Sequence, residues 1–357
     1  PLVLMDEFGT DALRFTMLVG STPGNDTNVG PKKVESNRNF ANKIWNAGRF
    51  VISAIDSLSE DGQQTIDHNG RDWTLADSWI WAKLQQLVRD VDRQFQNFQY
   101  GLAGQQIYEF IWNDFADWYV EIAKEQMKNS DTRSTTVKTL VQVFETSLRL
   151  LHPFTPFVTE EVWGYLHTAL RDSALKDLCK DWPNALIVAK FPEPREAESW
   201  EESRIVEFAL IQELVRSIRN LRAEKNVAPS KKLAAQFAAA EKTNLLKEQS
   251  SVIAALAGLN PDETSIEKSI TKKPSASAAI VAGSVEIYIP LAGLVDVAND
   301  KARLEKELKE AESHIQRLEN LLGGDFANKA PAALVQKERE KLAAYKDTAA
   351  RIKTQLK

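Results

Sequence analysis

Cysteine is nearly absent from the sequence, because Cys179 is the only one in 357 residues. A single cysteine excludes an internal disulfide, and it excludes a zinc ribbon, which requires paired Cys or Cys and His ligands at short spacing. The four histidines are scattered, without the spacing of metal ligands. We therefore expect no metal site, and we expect Cys179 to be an incidental thiol rather than a nucleophile.

Long hydrophobic runs and phosphate-binding loops are also missing. No apolar run reaches the roughly 18 residues that a membrane-spanning helix requires, and no signal peptide is visible. No Gly-rich loop of the Walker or Rossmann kind appears. We expect a cytoplasmic chain without membrane contact. Because the chain begins at Pro1 rather than at methionine, inside what reads as a domain, we also expect a fragment of a longer protein.

An excess of positive charge is absent as well. Asp and Glu number 50 against 45 Lys and Arg, which gives a formal net charge of −5. The chain is therefore no polycation, and any nucleic-acid site has to be a local basic patch. Hydrophobic residues make up 43% and charged residues 27% of the chain, which is ordinary for a soluble protein with two or three domains.

Helical periodicity dominates residues 34–185. The first helix, predicted over about 33–53, has apolar residues at spacings of four, three and four: Phe40, Ile44, Ala47 and Val51. This spacing places them on one helical face. Four further helices are predicted, three of them over about 74–98, 102–128 and 133–151 and the last from Pro156. Consecutive long helices with short connections predict an antiparallel bundle.

The remaining sequence predicts two different structures. Residues 186–297 contain two predicted helices, over about 201–225 and 242–256, and three strand candidates: KKLAAQFAA, SIEKSI and the alternating GSVEIYIPL. They predict a small α/β connector. Residues 298–357 contain two heptad stripes separated by a Gly/Pro break, which predicts an antiparallel coiled-coil hairpin. The predicted fold is thus mainly α, with a linker segment over 1–33 before the bundle.

The first predicted helix also has a polar face turned away from its apolar one. Arg38, Asn42, Trp45 and Arg49 follow each other at spacings of four, three and four, and Lys43 and Asn46 flank them. Arg and Lys bind phosphates, Asn pairs with base edges, and Trp and Arg planes stack on unpaired bases. The alternative is an ordinary helix face with the tryptophan packed into the bundle, and spacing alone leaves both open.

Basic residues recur in the connector and in the last segment. Arg216, Arg219, Arg222 and Lys225 stand at intervals of three and predict a ribbon along a helix, and Lys231 and Lys232 follow a turn. A solvated charged face is the alternative. The last segment, which includes Lys337 and Arg339, has slightly more basic than acidic residues. This surplus suits a phosphate backbone and a plain coiled-coil surface equally.

Several strings resemble the valyl-tRNA synthetase family of class I synthetases, and the resemblance covers essentially the whole chain. RNFANKIWNAGRFV, FIWNDFADWYVEIAK and LLHPFTPFVTEEVW resemble helices of its anticodon-binding bundle. IRNLRAEKNVAPSKK, VEIYIPLAGLVDV and NKAPAALVQKEREKL resemble its connector and C-terminal arm. PLVLMDEFGTDALRFTML resembles the segment after the family's Lys-Met-Ser-Lys-Ser loop. One departure is Asn25, where the family often has Arg.

The resemblance implies an ATP-dependent ligation of valine to its tRNA. The family's His-Ile-Gly-His motif, Lys-Met-Ser-Lys-Ser loop and editing insertion are not found in these residues. We therefore expect no catalytic residue and no bound cofactor in this chain, with ATP and Mg used by the full-length enzyme. The fragment alone is expected to be inactive, to bind valine tRNA and to be a monomer.

The resemblance also implies roles for the basic and polar residues. On the anticodon side it implies tRNA contacts for Arg38, Asn42, Lys43, Trp45, Asn46 and Arg49. In the connector and arm it implies them for Arg216, Arg219, Arg222, Lys225, Lys231, Lys232, Lys337 and Arg339. The rival interpretation is a free-standing RNA-binding or coiled-coil scaffolding protein without enzymatic role.

Overall fold

A computed structural model describes most of the chain. The described residues are 1–19, 29–58, 73–270, 277–290 and 297–323, together with 336, 338, 339, 341–343, 345, 346 and 349; the side chains of 297–307 are not included. Within these residues the fold is mainly α, with one four-stranded sheet, as the sequence predicts. None of the described helices is both long enough and apolar enough to cross a membrane.

Eight α-helices form the first part of the structure: α1 Leu2–Phe8, α2 Thr10–Leu18, α3 Pro31–Asp56, α4 Leu75–Gln96, α5 Tyr100–Glu109, α6 Val120–Gln126, α7 Ser130–Leu151 and α8 Pro156–Arg171. A π-helical segment, Phe110–Tyr119, joins α5 to α6 without a break. The sequence predicts this stretch as one α-helix. Asp11 of α2 accepts hydrogen bonds from the backbone N–H groups of Phe157 and Val158, at 3.3 and 2.7 Å, and so caps the start of α8.

The apolar face predicted for α3 is confirmed. Phe40, Ile44 and Val51 are fully buried in the main hydrophobic core. Gly48 lies where α3 crosses α8, and a Cβ atom at this position would come within 2.8 Å of a methyl group of Val162. The absence of a side chain therefore sets how closely the two helices approach.

A buried hydrogen-bond network fixes the start of α4. Thr74 and Asp77 form a capping box, in which each side chain accepts a hydrogen bond from the other residue's backbone N–H. The fully buried Asp77 carboxyl also accepts a hydrogen bond from the Tyr119 hydroxyl of the π-helical segment. Burial raises the pKa of Asp77. The network thus connects the N-terminus of α4 to the π-helical segment.

The connector combines three helices with the sheet: α9 Glu201–Glu224, β1 Leu233–Ala238, α10 Thr243–Glu248, α11 Ser250–Ala257, β2 Leu259–Glu267, β3 Ser277–Ala282 and β4 Val285–Pro290. The strand order is β2-β1-β4-β3; β1 is parallel to β2 and antiparallel to β4, and β3 is antiparallel to β4. The strand predicted in KKLAAQFAA is β1. The alternation predicted for β4 is confirmed, because Val285, Ile287 and Ile289 are all buried. Strand β3 was not predicted.

Helix α9 attaches the connector to the bundle. The Phe208 ring stacks on Trp79 of α4 with 4.0 Å between ring centroids, and it meets Trp118 edge-on at 6.3 Å. The buried Glu201 carboxylate pairs with Arg89 and Arg195 at 3.2 and 2.6 Å. The hydrophobic core is continuous across this contact. The predicted domains 34–185 and 186–297 therefore share one core.

Helix α12, Val297–Gly323, is the last continuous element described. The His314 ring stacks on Tyr345 with 4.9 Å between centroids, and Lys346 forms an ion pair with Glu319 at 2.6 Å. These contacts bring the following segment alongside α12. The antiparallel hairpin itself stays a prediction, because residues 324–335 lie outside the described part of the chain.

Candidate nucleic-acid interface

The polar face of α3 lies at the surface. Asn42, Trp45, Asn46 and Arg49 are all exposed, on the side opposite the buried apolar residues. Trp45 keeps 38% of its surface accessible, so it is not packed into the bundle as the alternative required. An exposed indole beside two amides and a guanidinium is suited to stacking on an unpaired base and to hydrogen bonding with its edge.

The three basic residues of this face differ in their partners. The Arg38 guanidinium is half-buried, forms an ion pair with Glu35 at 3.3 Å and lies 5.6 Å from the Phe8 ring. Lys43 pairs with Asp117 of the π-helical segment, and its ammonium lies 4.0 Å from the centroid of a tryptophan ring. Among the described residues, Arg49 has no ion pair and no side-chain hydrogen bond. Of these three residues, Arg49 is therefore the one most available to an RNA ligand.

A cleft opens between α3 and α8 beside Arg49. It has a volume of about 380 Å³ and is lined by Trp45, Gly48, Arg49, Ile52, Ser53, Asp56, Val162 and Tyr165. The rings of Trp45 and Tyr165 meet edge to face at 5.8 Å and 87°. Tyr165 is 54% exposed, so the cleft has an aromatic wall open to solvent.

Sequence reasoning found only part of this site. Tyr165 lies on a different helix, far along the chain from Trp45, and no spacing pattern links the two. Their contact depends on the close crossing of α3 and α8 at Gly48. Ser53 and Asp56, in contrast, follow Arg49 at four and seven residues on the same helix. Extending the helical spacing by two turns would have included them.

Two arginines of the connector lie together over the bundle. The guanidinium groups of Arg216 and Arg219 lie 5.4 and 5.5 Å from the ring centroid of Trp118, and both residues are exposed. Arg219 also donates from Nε to the backbone oxygen of Leu256 at 2.8 Å. Two neighbouring guanidiniums at the surface can bind a phosphate through several donors.

Arg222 departs from the predicted ribbon. It is only 9% exposed, and its guanidinium donates to the backbone oxygens of Gly258, Ala228 and Pro229 at 3.1, 3.0 and 3.4 Å. Burial lowers its pKa. An interval of three residues rotates the helix by about 300°, which is about 60° less than a full turn. Two such intervals separate Arg222 from Arg216, so the two side chains point about 120° apart around α9. The four basic residues therefore do not share one exposed face, and Arg222 holds the loop after α9.

The other predicted basic residues are dispersed. Lys225 forms an ion pair with Glu224 at 2.8 Å, and Lys231 and Lys232 lie at the surface before β1. Arg339 is exposed in the last segment, at a distance along the chain from the cleft. Lys337 and Asn25 lie outside the described residues.

The described ranges were searched for side chains that could hold a metal ion together. No cluster of three or more His, Cys, Asp or Glu side chains there has a geometry that would hold a metal ion. Cys179 is buried, and burial raises the pKa of its thiol, which disfavours the reactive thiolate.

Substituting Arg222 and Arg216 separately should distinguish a structural arginine from a surface one. Arg222→Met removes charged hydrogen bonds to three carbonyls, and we expect the free energy of unfolding to fall by about 2 kcal/mol or more. Arg216→Met, on the exposed side of the same helix, should change it by less than about 0.5 kcal/mol. Urea unfolding of both variants measures the difference. Equal losses would contradict the assignment of Arg222 to the fold.

Two protein families match parts of the chain. Residues 77–237 match the anticodon-binding domain of tRNA ligases, and residues 296–357 match the tRNA-binding arm of valyl-tRNA synthetases. The first match includes α8 and the connector helix α9. The second covers the last segment, for which the sequence alone left a coiled-coil surface and a phosphate-binding arm equally open.

Curated relatives extend the similarity over nearly the whole chain. The valine–tRNA ligase of Dehalococcoides mccartyi (strain 195) is 36% identical over 99% of this chain and 38% of the ligase. Those of Carboxydothermus hydrogenoformans and Geobacter sulfurreducens are each 36% identical, over 97% and 96% of this chain and 37% of each ligase. The chain thus spans less than two fifths of the length of these relatives. These matches confirm the resemblance that the sequence strings indicate.

One solved structure is also similar. The LeuRS–tRNA–LeuAMS ternary complex of Agrobacterium radiobacter K84 matches 57% of this chain and 21% of that chain, with 19% identity and a TM-score of 0.39. The sequence matches do not favour a free-standing scaffolding protein.

Proposed function

We infer that this chain, a relative of the valine–tRNA ligases over 99% of its length, is the tRNA-recognition portion of such an enzyme. It binds the anticodon stem-loop of valine tRNA at the α3–α8 face, and the corner of the tRNA with the connector and the arm. The complete enzyme joins valine to this tRNA with ATP and Mg²⁺. The catalytic site for this reaction is formed by residues that do not belong to this chain. The chain itself binds no cofactor, works in the cytoplasm and acts as a monomer.

The observation that carries this proposal is the composition of the α3–α8 face. Exposed Trp45 and Tyr165 lie beside Arg49, which has no partner among the described residues. Tyr165 belongs to the residues that match the anticodon-binding domain of tRNA ligases, 77–237. Proteins read RNA sequence mostly in loops, where unpaired bases stack on aromatic or guanidinium planes. Contact between an exposed aromatic ring and water is unfavourable, because the ring surface is largely apolar. A base that stacks on the ring removes this surface from water.

Local charge explains how an acidic chain binds RNA. The formal net charge is −5, but Arg49 lies at the cleft, and Arg216 and Arg219 lie side by side over Trp118. Binding of phosphates by such groups releases counterions and weakens as salt rises. Contacts to bases respond less to salt, because they depend on stacking and on hydrogen bonds. The two kinds of contact are therefore separable by titration at two salt concentrations.

Arg49→Ala should weaken binding of the anticodon stem-loop of valine tRNA by about 1–3 kcal/mol, the usual cost of one base contact. Arg93→Ala is the matched control, because Arg93 is an arginine of the bundle that pairs with Asp90 at 2.7 Å and lies outside both the predicted anticodon contacts and the cleft lining. We expect a change within about 0.5 kcal/mol for it. Gel-shift titrations at low and moderate salt measure both.

The two outcomes decide between the functions. Unchanged affinity in Arg49→Ala, with normal folding, would remove the anticodon contact from this face. A scaffolding protein would bind no tRNA at low salt in either variant or in the unsubstituted chain. Valine specificity is tested by adding unmodified stem-loops of other tRNAs, which should bind more weakly than the valine stem-loop.

A further inference from the structure

A second cleft lies where the bundle meets the connector, and we call it the junction cleft. Its volume of about 380 Å³ falls within the range of about 300–1,000 Å³ typical of small-ligand sites. One wall is formed by the start of α4 and the turn between α6 and α7, and the other by the end of α10 and the start of α11. All lining residues except Val252 are polar or charged. The junction cleft shares no residue with the cleft beside Arg49.

The polar groups of the bundle wall are largely satisfied within the fold. Gln126 donates from Nε2 to the Thr74 hydroxyl at 2.5 Å, and the Thr132 hydroxyl donates to the backbone oxygen of Gln126 at 2.7 Å. The Glu125 carboxylate pairs with Lys128, whose side chain is 70% exposed. An exposed ion pair contributes little to stability, so a ligand can rearrange this one at small cost.

The connector wall presents polar groups without partners. Gln249 is only 8% exposed, yet its side-chain amide forms no hydrogen bond with any residue that the structure describes. The exposed side chains of Glu248 and Ser251 likewise have no ion pair or hydrogen bond in the described part of the chain. A buried amide without a partner is unfavourable, and such groups in folded proteins are nearly always bonded to protein, water or a ligand. Gln249 therefore points to an occupant of the junction cleft.

The charges of the lining favour a cationic occupant. The carboxylates of Glu125 and Glu248 face a single ammonium group, that of Lys128. Lys128 pairs with Glu125, so Glu248 has no counter-ion among the described residues. Glu125 and Glu248 also lie in the last turns of α6 and α10, where the negative end of the helix dipole adds to the attraction for a cation. Because the two carboxylates belong to opposite walls, a ligand with two ammonium groups can pair with both.

We propose that the junction cleft binds a small aliphatic diamine. One ammonium group pairs with Glu248 and donates a hydrogen bond to the amide oxygen of Gln249. The other pairs with Glu125, while Lys128 turns towards solvent. The methylene groups between the two amines pack against the buried Val252. Because the diamine contacts both walls, its binding joins the bundle to the connector and stabilises the folded chain.

Isothermal titration of the chain with putrescine, at low salt and neutral pH, tests this proposal. Butylamine has the same carbon chain with one ammonium group, and γ-aminobutyrate has a carboxylate in place of the second ammonium group. Each lacks one charge-assisted pair, so we expect both to bind at least about tenfold more weakly than putrescine. Putrescine should also raise the unfolding temperature, whereas magnesium chloride at the same ionic strength should not reproduce this effect.

Glu248→Gln should weaken the binding of putrescine at least about tenfold, because it removes the charge and keeps the size of the side chain. Glu241→Gln is the matched control, an exposed glutamate of the connector outside the lining, and it should bind putrescine normally.

Gln249→Leu separates a role in ligand binding from a role in the fold. It removes the amide, so putrescine should bind more weakly. The unfolding temperature without ligand should stay equal or rise, because no hydrogen bond of the fold is lost and a buried unpaired group is removed. A residue that holds the fold together would lower that temperature instead.

Several results would overturn the diamine site. They are the absence of saturable binding, equal binding of butylamine or γ-aminobutyrate, and the same stabilisation by magnesium chloride. Unchanged putrescine affinity in the folded Glu248→Gln variant would also place the amine elsewhere, and this exposed substitution decides the question even if Gln249→Leu does not fold. Unchanged affinity in Gln249→Leu together with a lower unfolding temperature would make Gln249 a structural residue. None of these results bears on RNA binding at the α3–α8 face.

Discussion

Replacing Phe208 by alanine is expected to lower the free energy of unfolding by about 3–5 kcal/mol, the usual cost of truncating a large buried aromatic residue. Phe208 is fully buried, stacks on Trp79 at 4.0 Å and meets Trp118 edge-on at 6.3 Å. Loss of the ring would leave a cavity where α9 joins the bundle. Urea or thermal unfolding, followed by circular dichroism, measures the loss.

A control on the same helix separates packing from helix propensity. Val206 is 60% exposed, and Val206→Ala should change the free energy of unfolding by less than about 0.5 kcal/mol. The large effect at Phe208 also follows from the core, which runs without interruption from the bundle to the sheet. If Phe208→Ala cost no more than the control, or if it left the transition of the bundle unchanged, the joint core would be contradicted.

Local spacing explains which parts of the fold were predictable. The apolar face of α3 follows from residues within one helix, and the structure buries Phe40, Ile44 and Val51 as expected. The alternation in β4 is equally local, and Val285 and Ile289 are buried. In both cases the residues that form the pattern are close in sequence. Burial of one face therefore makes apolar residues recur at the spacing of a helix or a strand, and this spacing is visible in the sequence.

Other features depend on information that spacing does not contain. Strand β3, SAAIVA, has little hydrophobic alternation and is ordered by its pairing with β4. The π-helical segment shifts backbone hydrogen bonds to a five-residue interval, and apolar spacings of three and four do not distinguish it from an α-helix. These features are fixed by tertiary contacts.

The same distinction divides the candidate site. The residues of α3 are found from their spacing, because one helix presents them all. Tyr165 and the cleft appear only when two distant segments cross, and Arg222 is found to be structural only when its partners at Gly258 and Ala228 are placed. Basic residues at regular spacing therefore indicate candidates, and the fold decides which of them face a ligand.

The helix crossing that builds the cleft gives the second large expected effect. Gly48→Leu should destabilise the chain by about 3 kcal/mol, near the upper end for overpacking, since an added Cβ already meets Val162 at 2.8 Å and Phe144 at 3.4 Å. The closest contact, with Val162, is relieved when α8 moves away from α3, and this movement separates Tyr165 from Trp45. Affinity for the anticodon stem-loop should therefore fall together with stability.

Gly164→Leu distinguishes this steric effect from the general effect of removing a helical glycine. Gly164 lies on α8, and a Cβ atom added there meets nothing within 4 Å. Because glycine costs about 0.5–1 kcal/mol in a helix relative to better helix formers, this variant should be slightly more stable and should bind RNA normally. Urea unfolding and stem-loop titration at a temperature where both variants are folded measure the two quantities. If Gly48→Leu lost stability but kept full RNA affinity, the α3–α8 crossing would be needed for the fold and not for recognition, and the base would have to bind elsewhere on the exposed face of α3.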